Sequence, residues 1–202
     1  MKKILISLVA IVLMMGSVPA GVFAATTTKA KMYEIQVTKR YAYVVGNKGI
    51  YKVKLKSGKP VSKKKIVKCG SKYSIGHLKV KGKYVYFKKS SNTKDYLYRV
   101  KKSGGKAVKL ASMGTFSQVA IKDKKIYYSY PGEETDDNGM VLKTYKKVMK
   151  LNGKGKKDTE TEAEEIDKYR SKKGYKYTFK TTKKSVTVYL KTPKGKIKLE
   201  TL

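Results

Sequence analysis

The chain has 202 residues and sets 49 Lys and Arg against 14 Asp and Glu, a formal net charge of +35. Its single histidine and single cysteine exclude an internal disulfide, a cysteine cluster and a paired-histidine zinc site. Among the 49 basic residues only Arg40, Arg99 and Arg170 are arginine; lysine lacks the planar guanidinium fork, which disfavours sequence-specific reading of nucleic acid.

The N-terminus reads as a processing segment. Lys2 and Lys3 precede an apolar run from Ile4 to Met15, and Val22-Phe23-Ala24 puts small residues where a signal peptidase reads. Residues 1–24 are expected to be a secretory signal peptide, because the apolar run falls short of the ~20 residues a spanning helix needs. Residues 25–31 follow as a short polar, flexible lead, and residues 32–202 form the repeat domain. The expected location is secreted, extracellular or associated with the cell envelope.

From there the chain is a series of strand-length pulses of Tyr, Val, Ile and Leu, broken by Gly, Ser, Asn and Lys. The first repeat has pulses at 33–37, 41–45, 49–55 and 66–69. The second, the clearest, has them at 75–80, 84–87, 96–100 and 107–110. The third has 118–121, 125–130 and 145–151, a long acidic loop at 131–143, and a weak fourth pulse near 158–161. The fourth has 165–169, 175–180, 186–190 and 197–202. The central tyrosines Tyr43, Tyr86, Tyr128 and Tyr177 recur about 43, 42 and 49 residues apart, and Gly-Lys pairs stand at 58–59, 105–106, 153–154 and 195–196. That period predicts an all-β, β-propeller-like fold of four repeats, each of about four antiparallel strands, as a closed four-bladed ring or an open arc. One stretch, 159–170, also carries the capping-box spacing Thr159 to Glu162, so a short helix there competes with strand pairing.

A Gly or Asp turn, then Lys-x-Ile/Val-Tyr-Tyr/Phe, then Leu/Ile-Tyr-Arg/Lys-Val and a Gly-Lys turn, is best seen at 79–87, 96–106 and 121–128. This pattern resembles the tyrosine-rich β-propeller repeats of secreted bacterial proteins, a domain of unknown function. That domain is in turn similar to the propeller of low-density-lipoprotein-receptor-related proteins. The resemblance covers residues 32–202 and implies fold rather than activity. The chain departs from it in having four units, fewer than the family usually closes with, and in a fourth unit without the clean turn motif.

No nucleophile-elbow, dinucleotide-binding or phosphate-loop motif occurs, so the protein is expected to be non-catalytic, without cofactor and without metal. His77 and Cys69 lie inside apolar pulses and are expected to be structural. Glu134, Asp136, Asn138 and Gly139 match the start of a calcium loop, but Tyr145 stands where a bidentate Glu belongs. The expected structure there is a solvated hairpin tip.

The informative feature is where the lysines fall. In a four-stranded meander the one–two and three–four turns share one end. Those turns hold the candidate polyanion-binding residues Lys56, Lys59, Lys63, Lys64, Lys65, Lys81, Lys83, Lys101, Lys102, Lys106, Lys124, Lys125, Lys172 and Lys173. The other end collects Asp95, Glu133, Glu134, Asp136, Asp137, Glu160, Glu162, Glu164 and Glu165. The expected function is docking through the lysine-rich face on an anionic cell-envelope polymer, such as teichoic acid, or on an acidic protein. The alternative is a protein-interaction scaffold whose lysines are a soluble coat.

Overall fold

A computed structural model describes residues 34–132, 134–141, 143–163, 172–182 and 185–202. The expected signal peptide, the lead at 25–31, the strand at 165–169 and most of the alternative helix at 159–170 lie outside the described residues. The described chain folds as antiparallel meanders. The first sheet is β1 (Ile35–Val37), β2 (Tyr41–Gly46), β3 (Gly49–Lys56) and β4 (Lys59–Lys68). The second is β5 (Ser74–Lys81), β6 (Tyr84–Ser90), β7 (Asp95–Lys101) and β8 (Val108–Met113). The third is β9 (Gln118–Lys122), β10 (Lys125–Pro131), β11 (Thr144–Lys150) and the two-residue β12 (Lys157–Asp158). The fourth has three described strands, β13 (Lys176–Thr182), β14 (Ser185–Thr192) and β15 (Gly195–Thr201). In each sheet every strand pairs only with its neighbour in sequence.

The continuous apolar runs have a simple cause. Side chains alternate across a strand, and both faces of the inner strands of the first and second sheets are covered. Along β2, Ala42 and Val44 enter a core shared with Val188, Leu190 and Leu199 of the fourth sheet. Tyr43 and Val45, between and beside them, enter a core shared with Ile75, Leu78, Val85 and Phe87 of the second sheet. Along β6, Val85 and Phe87 face that same core, whereas Tyr84 and Tyr86 join Val119, Ile126, Tyr128 and Met149 of the third sheet. The sheets therefore stack face to face in the order fourth, first, second, third. The last sheet in the chain packs on the first.

A buried carboxylate spans each of these three junctions. Glu200 on β15 accepts the backbone N–H groups of Asn47 (2.6 Å) and Lys48 (3.0 Å), in the β2–β3 turn, and the Tyr51 hydroxyl (3.0 Å). Glu34, just before β1, accepts the N–H of His77 (2.6 Å) and of Leu78 (2.5 Å). Those two donors are available because the β5–β6 register slips between Gly76 and Lys79; a bulge takes them out of the ladder. Asp95 at the start of β7 accepts the N–H (3.0 Å) and hydroxyl (2.9 Å) of Ser117, which precedes β9. All three acids are at most 5% exposed. Desolvation raises the Glu34 pKa, its two backbone donors opposing only part of the rise. Burial acts the same way on Asp95, but its bonds to Ser90, Lys88 and Ser117 and the Lys88 charge outweigh it and hold that carboxyl below the usual range.

Two placements differ from the sequence reading. The fourth strand of the first repeat begins at Lys59 rather than Ile66, so Lys63, Lys64 and Lys65 lie within β4 and not in the turn. Pairing with β3 explains this: Tyr51, Lys52 and Val53 are matched to Lys65, Lys64 and Lys63, and the exposed run at 61–65 of this edge strand accommodates lysine. Asp95, read as an exposed turn acid, is the buried junction group just described. The 131–143 loop is a hairpin tip as expected, with the Asp136 carboxylate accepting the N–H of Asn138 and Met140.

Candidate functional site

The antiparallel meander places the β1–β2 and β3–β4 turns of a sheet at the same end, and hydrogen bonds between these turns hold them together. Lys102 N–H donates to Lys83 O (3.0 Å) in the second sheet, and Leu55 N–H to Arg40 O (2.8 Å) in the first. Between sheets, the Thr192 hydroxyl donates to Gly58 O (3.0 Å), which joins the β14–β15 turn to the β3–β4 turn.

Thirteen of the fourteen lysines singled out in the sequence are exposed, and Lys102 is half-buried. Lys56 and Lys59 flank the turn at 57–58, Lys81 and Lys83 flank Gly82, and Lys101, Lys102 and Lys106 lie at or beyond the end of β7. Lys124 lies in the turn before β10 and Lys125 opens that strand, and Lys172 and Lys173 precede β13. Lys63 and Lys65 instead lie along the junction of the first and fourth sheets. Their ammonium groups lie 5.6 and 5.4 Å from the Tyr51 ring centroid, and Lys63 donates to Leu199 O. Burial, followed by the like charge of Lys198, lowers the Lys63 pKa.

The turn ends of the second and third sheets converge on an open cleft of about 500 Å³. Its walls are Lys81, Gly82, Lys83 and Tyr84 on one side and Lys124, Lys150, Leu151 and Asn152 on the other, with Tyr86 and Arg99 between them. Five cations line it, and no Asp or Glu does. The central guanidinium is held in place. Arg99 Cζ lies 4.5 Å from the Tyr84 ring centroid, and Nη1 donates to Leu151 O at 3.1 Å. The Tyr86 hydroxyl donates to the same carbonyl at 3.2 Å. The Arg99 Nε is buried with no hydrogen-bond partner among the described residues. Burial raises the Tyr86 pKa, and the adjacent Arg99 offsets part of that rise. The phenol stays neutral and leaves the positive potential of the cleft intact.

Lys81, Lys83 and Lys124 were legible as candidates from the turn pattern. Arg99, Tyr84 and Lys150 were not, because they sit on strands and read as ordinary strand residues. The hairpin register was the available signal. Tyr86 pairs with Arg99 and Tyr84 with Lys101, so Tyr84 and Arg99 are diagonal neighbours on one face, within reach of each other.

A second basin, of about 540 Å³, lies on the outer face of the fourth sheet, with Lys180, Lys191 and Lys196 around Tyr189. His77 has a φ of +50°, and its N–H is bound to Glu34. Among the described residues no group of three or more His, Cys, Asp or Glu is placed to hold a metal ion. The sequence matches no protein-family model and shows no significant similarity to a curated protein.

Proposed function

We propose that the protein is a secreted, non-catalytic binding module that docks on an anionic cell-envelope polymer through the lysine-bearing turn end of its sheets. We propose too that its stacked sheets are blades of a β-propeller-like repeat, of the tyrosine-rich kind that the sequence resembles. The observation that carries the docking reading is the meeting of the turn ends in a cleft with five cations and no carboxylate. Fixed cations on a low-dielectric wall concentrate counter-ions and steer a polyanion toward that end. The propeller reading is supported by the packing of the first and second sheets on both faces and by the contact of the last sheet with the first.

The test is retention of the full chain on cell-wall preparations bearing phosphodiester polymer, across a salt series. Changing Lys56, Lys59, Lys101 and Lys106 together to Gln is expected to weaken retention and flatten its salt dependence. The same change at Lys68, Lys94, Lys143 and Lys180 is expected to do much less. Equal losses from the two sets would mean that net charge alone acts, as the soluble-coat alternative has it.

A further inference from the structure

Lysines spread over turns give attraction without selectivity, because an ammonium on a flexible stem accepts any anion. The cleft between the second and third sheets contains something different. Arg99 is fixed by the Tyr84 ring and by Leu151 O, so little rotamer freedom remains to be lost when an anion arrives. A guanidinium carries five N–H donors; Nη1 gives one to Leu151 O, and an anionic oxygen is a charge-assisted acceptor for the rest. Lys81, Lys83, Lys124 and Lys150 ring the opening. Tyr84 is half-exposed at the rim, and Lys83 Nζ lies 5.8 Å from its ring centroid. A tetrahedral dianion or a chain of phosphodiesters offers several oxygens to such a ring of cations, and the polyol between phosphates has C–H groups that pack on an aromatic face.

We propose that this cleft is a phosphate subsite, taking one phosphodiester of a polyol-phosphate polymer against Arg99 with the adjoining polyol over Tyr84. The subsite rests on the docking function proposed above and gives it chemical selectivity: phosphate in preference to carboxylate. The long-range field of the turns brings the polymer in, and Arg99 holds one repeat.

The test is calorimetric titration of the full chain with a short glycerol-phosphate oligomer, at a salt concentration that suppresses diffuse attraction. A poly-glutamate of equal charge is the comparison. The expected result is saturable binding of the oligomer and much weaker binding of poly-glutamate. Arg99→Gln is expected to lose about tenfold in affinity, as for a charge-assisted hydrogen bond. Because Arg99 also braces the junction, a second variant leaves the fold untouched: Lys124→Gln with Lys150→Gln, both exposed, is expected to lose several-fold. Poly-glutamate binding as tightly as the oligomer overturns the phosphate assignment. So do both variants binding within about twofold of the parent. If the cleft variants are silent while the Lys56, Lys59, Lys101 and Lys106 set still weakens wall retention, the subsite falls and the docking face stands. If neither set has an effect, both fall.

Discussion

At His77 the backbone holds a left-handed conformation, φ +50°, uncommon for any residue but Gly and reached by Asn, Asp and His more readily than by the rest when the surroundings impose it. The imposing contact is the Glu34 carboxylate on its N–H. The imidazole is pressed between elements whose charged groups are Lys88, Lys79 and Asp95. Burial, followed by the Lys88 charge, pushes its pKa down to about 4. The folded state therefore prefers the neutral ring, and stability is lost as pH falls from the ordinary histidine value of 6.5 toward about 4. The loss amounts to about 2–3 kcal/mol once the partial exposure of the ring is allowed for. Glu34 acts in the opposite sense, because its raised pKa makes protonation favour the fold. Urea midpoints measured at about pH 7 and pH 4.5 should fall in the parent and fall far less in His77→Asn, which tolerates the left-handed backbone. An equal fall in both would assign the acid sensitivity elsewhere. The place of His77 within a strand was legible from its apolar pulse. The bulge was not, since nothing in Gly76-His77-Leu78 announces a partner 43 residues away.

At the level of elements, the strands were largely legible because tyrosine and β-branched residues recur with turn residues between them. The three junction acids were not. Glu34, Asp95 and Glu200 stand beside apolar residues like any strand-end acid, and their meaning lies in donors up to 153 residues distant. Their loss has separable effects. Glu200→Ala removes the carboxylate to which the Asn47 and Lys48 amides and the Tyr51 hydroxyl donate, at a cost of about 2–4 kcal/mol. Hydrogen exchange should show β13, β14 and β15 and the β2–β3 turn losing protection first, with β5 to β8 unchanged. Uniform loss across all sheets would mean that the junction does not open on its own. Asp95→Ala takes the countercharge from the Lys88 ammonium, which lies 2.9 Å from Asp95 with its side chain only 12% exposed and keeps only the Ser117 carbonyl as an acceptor among the described residues. It should cost about 3–5 kcal/mol, with part recovered when Lys88→Met is added.

The whole molecule carries a formal charge of +35, and among the described residues only Lys88–Asp95, Lys146–Glu162 and Lys147–Asp158 form ion pairs. Self-repulsion therefore opposes compaction. Because salt screens exposed like charges over a Debye length of about 10 Å at 0.1 M, the melting temperature should rise with sodium chloride over the range that weakens polyanion docking. A flat or falling melting temperature would show that the lysines are too dispersed to repel one another. The number of sheets was legible at this scale, since the repeat is written in local sequence. The stacking order was not: period and turn chemistry determine which strands pair within a sheet, but not which sheet covers Ala42 and Val44.

That order has a kinetic consequence. The core beside the first sheet joins Ile35, Ala42 and Val53 to Val188, Leu190 and Leu199, so the earliest described part of the chain is completed by the latest. The other two cores are built from sheets adjacent in sequence and can condense as the chain emerges. The junction between first and fourth sheets closes only after the longest loop has closed, and contacts of such sequence separation slow folding. A nascent or C-terminally shortened chain exposes the Ala42, Val44, Val53 and Leu55 face of the first sheet. That face, more than any lysine, is where an incomplete molecule is open to aggregation and proteolysis.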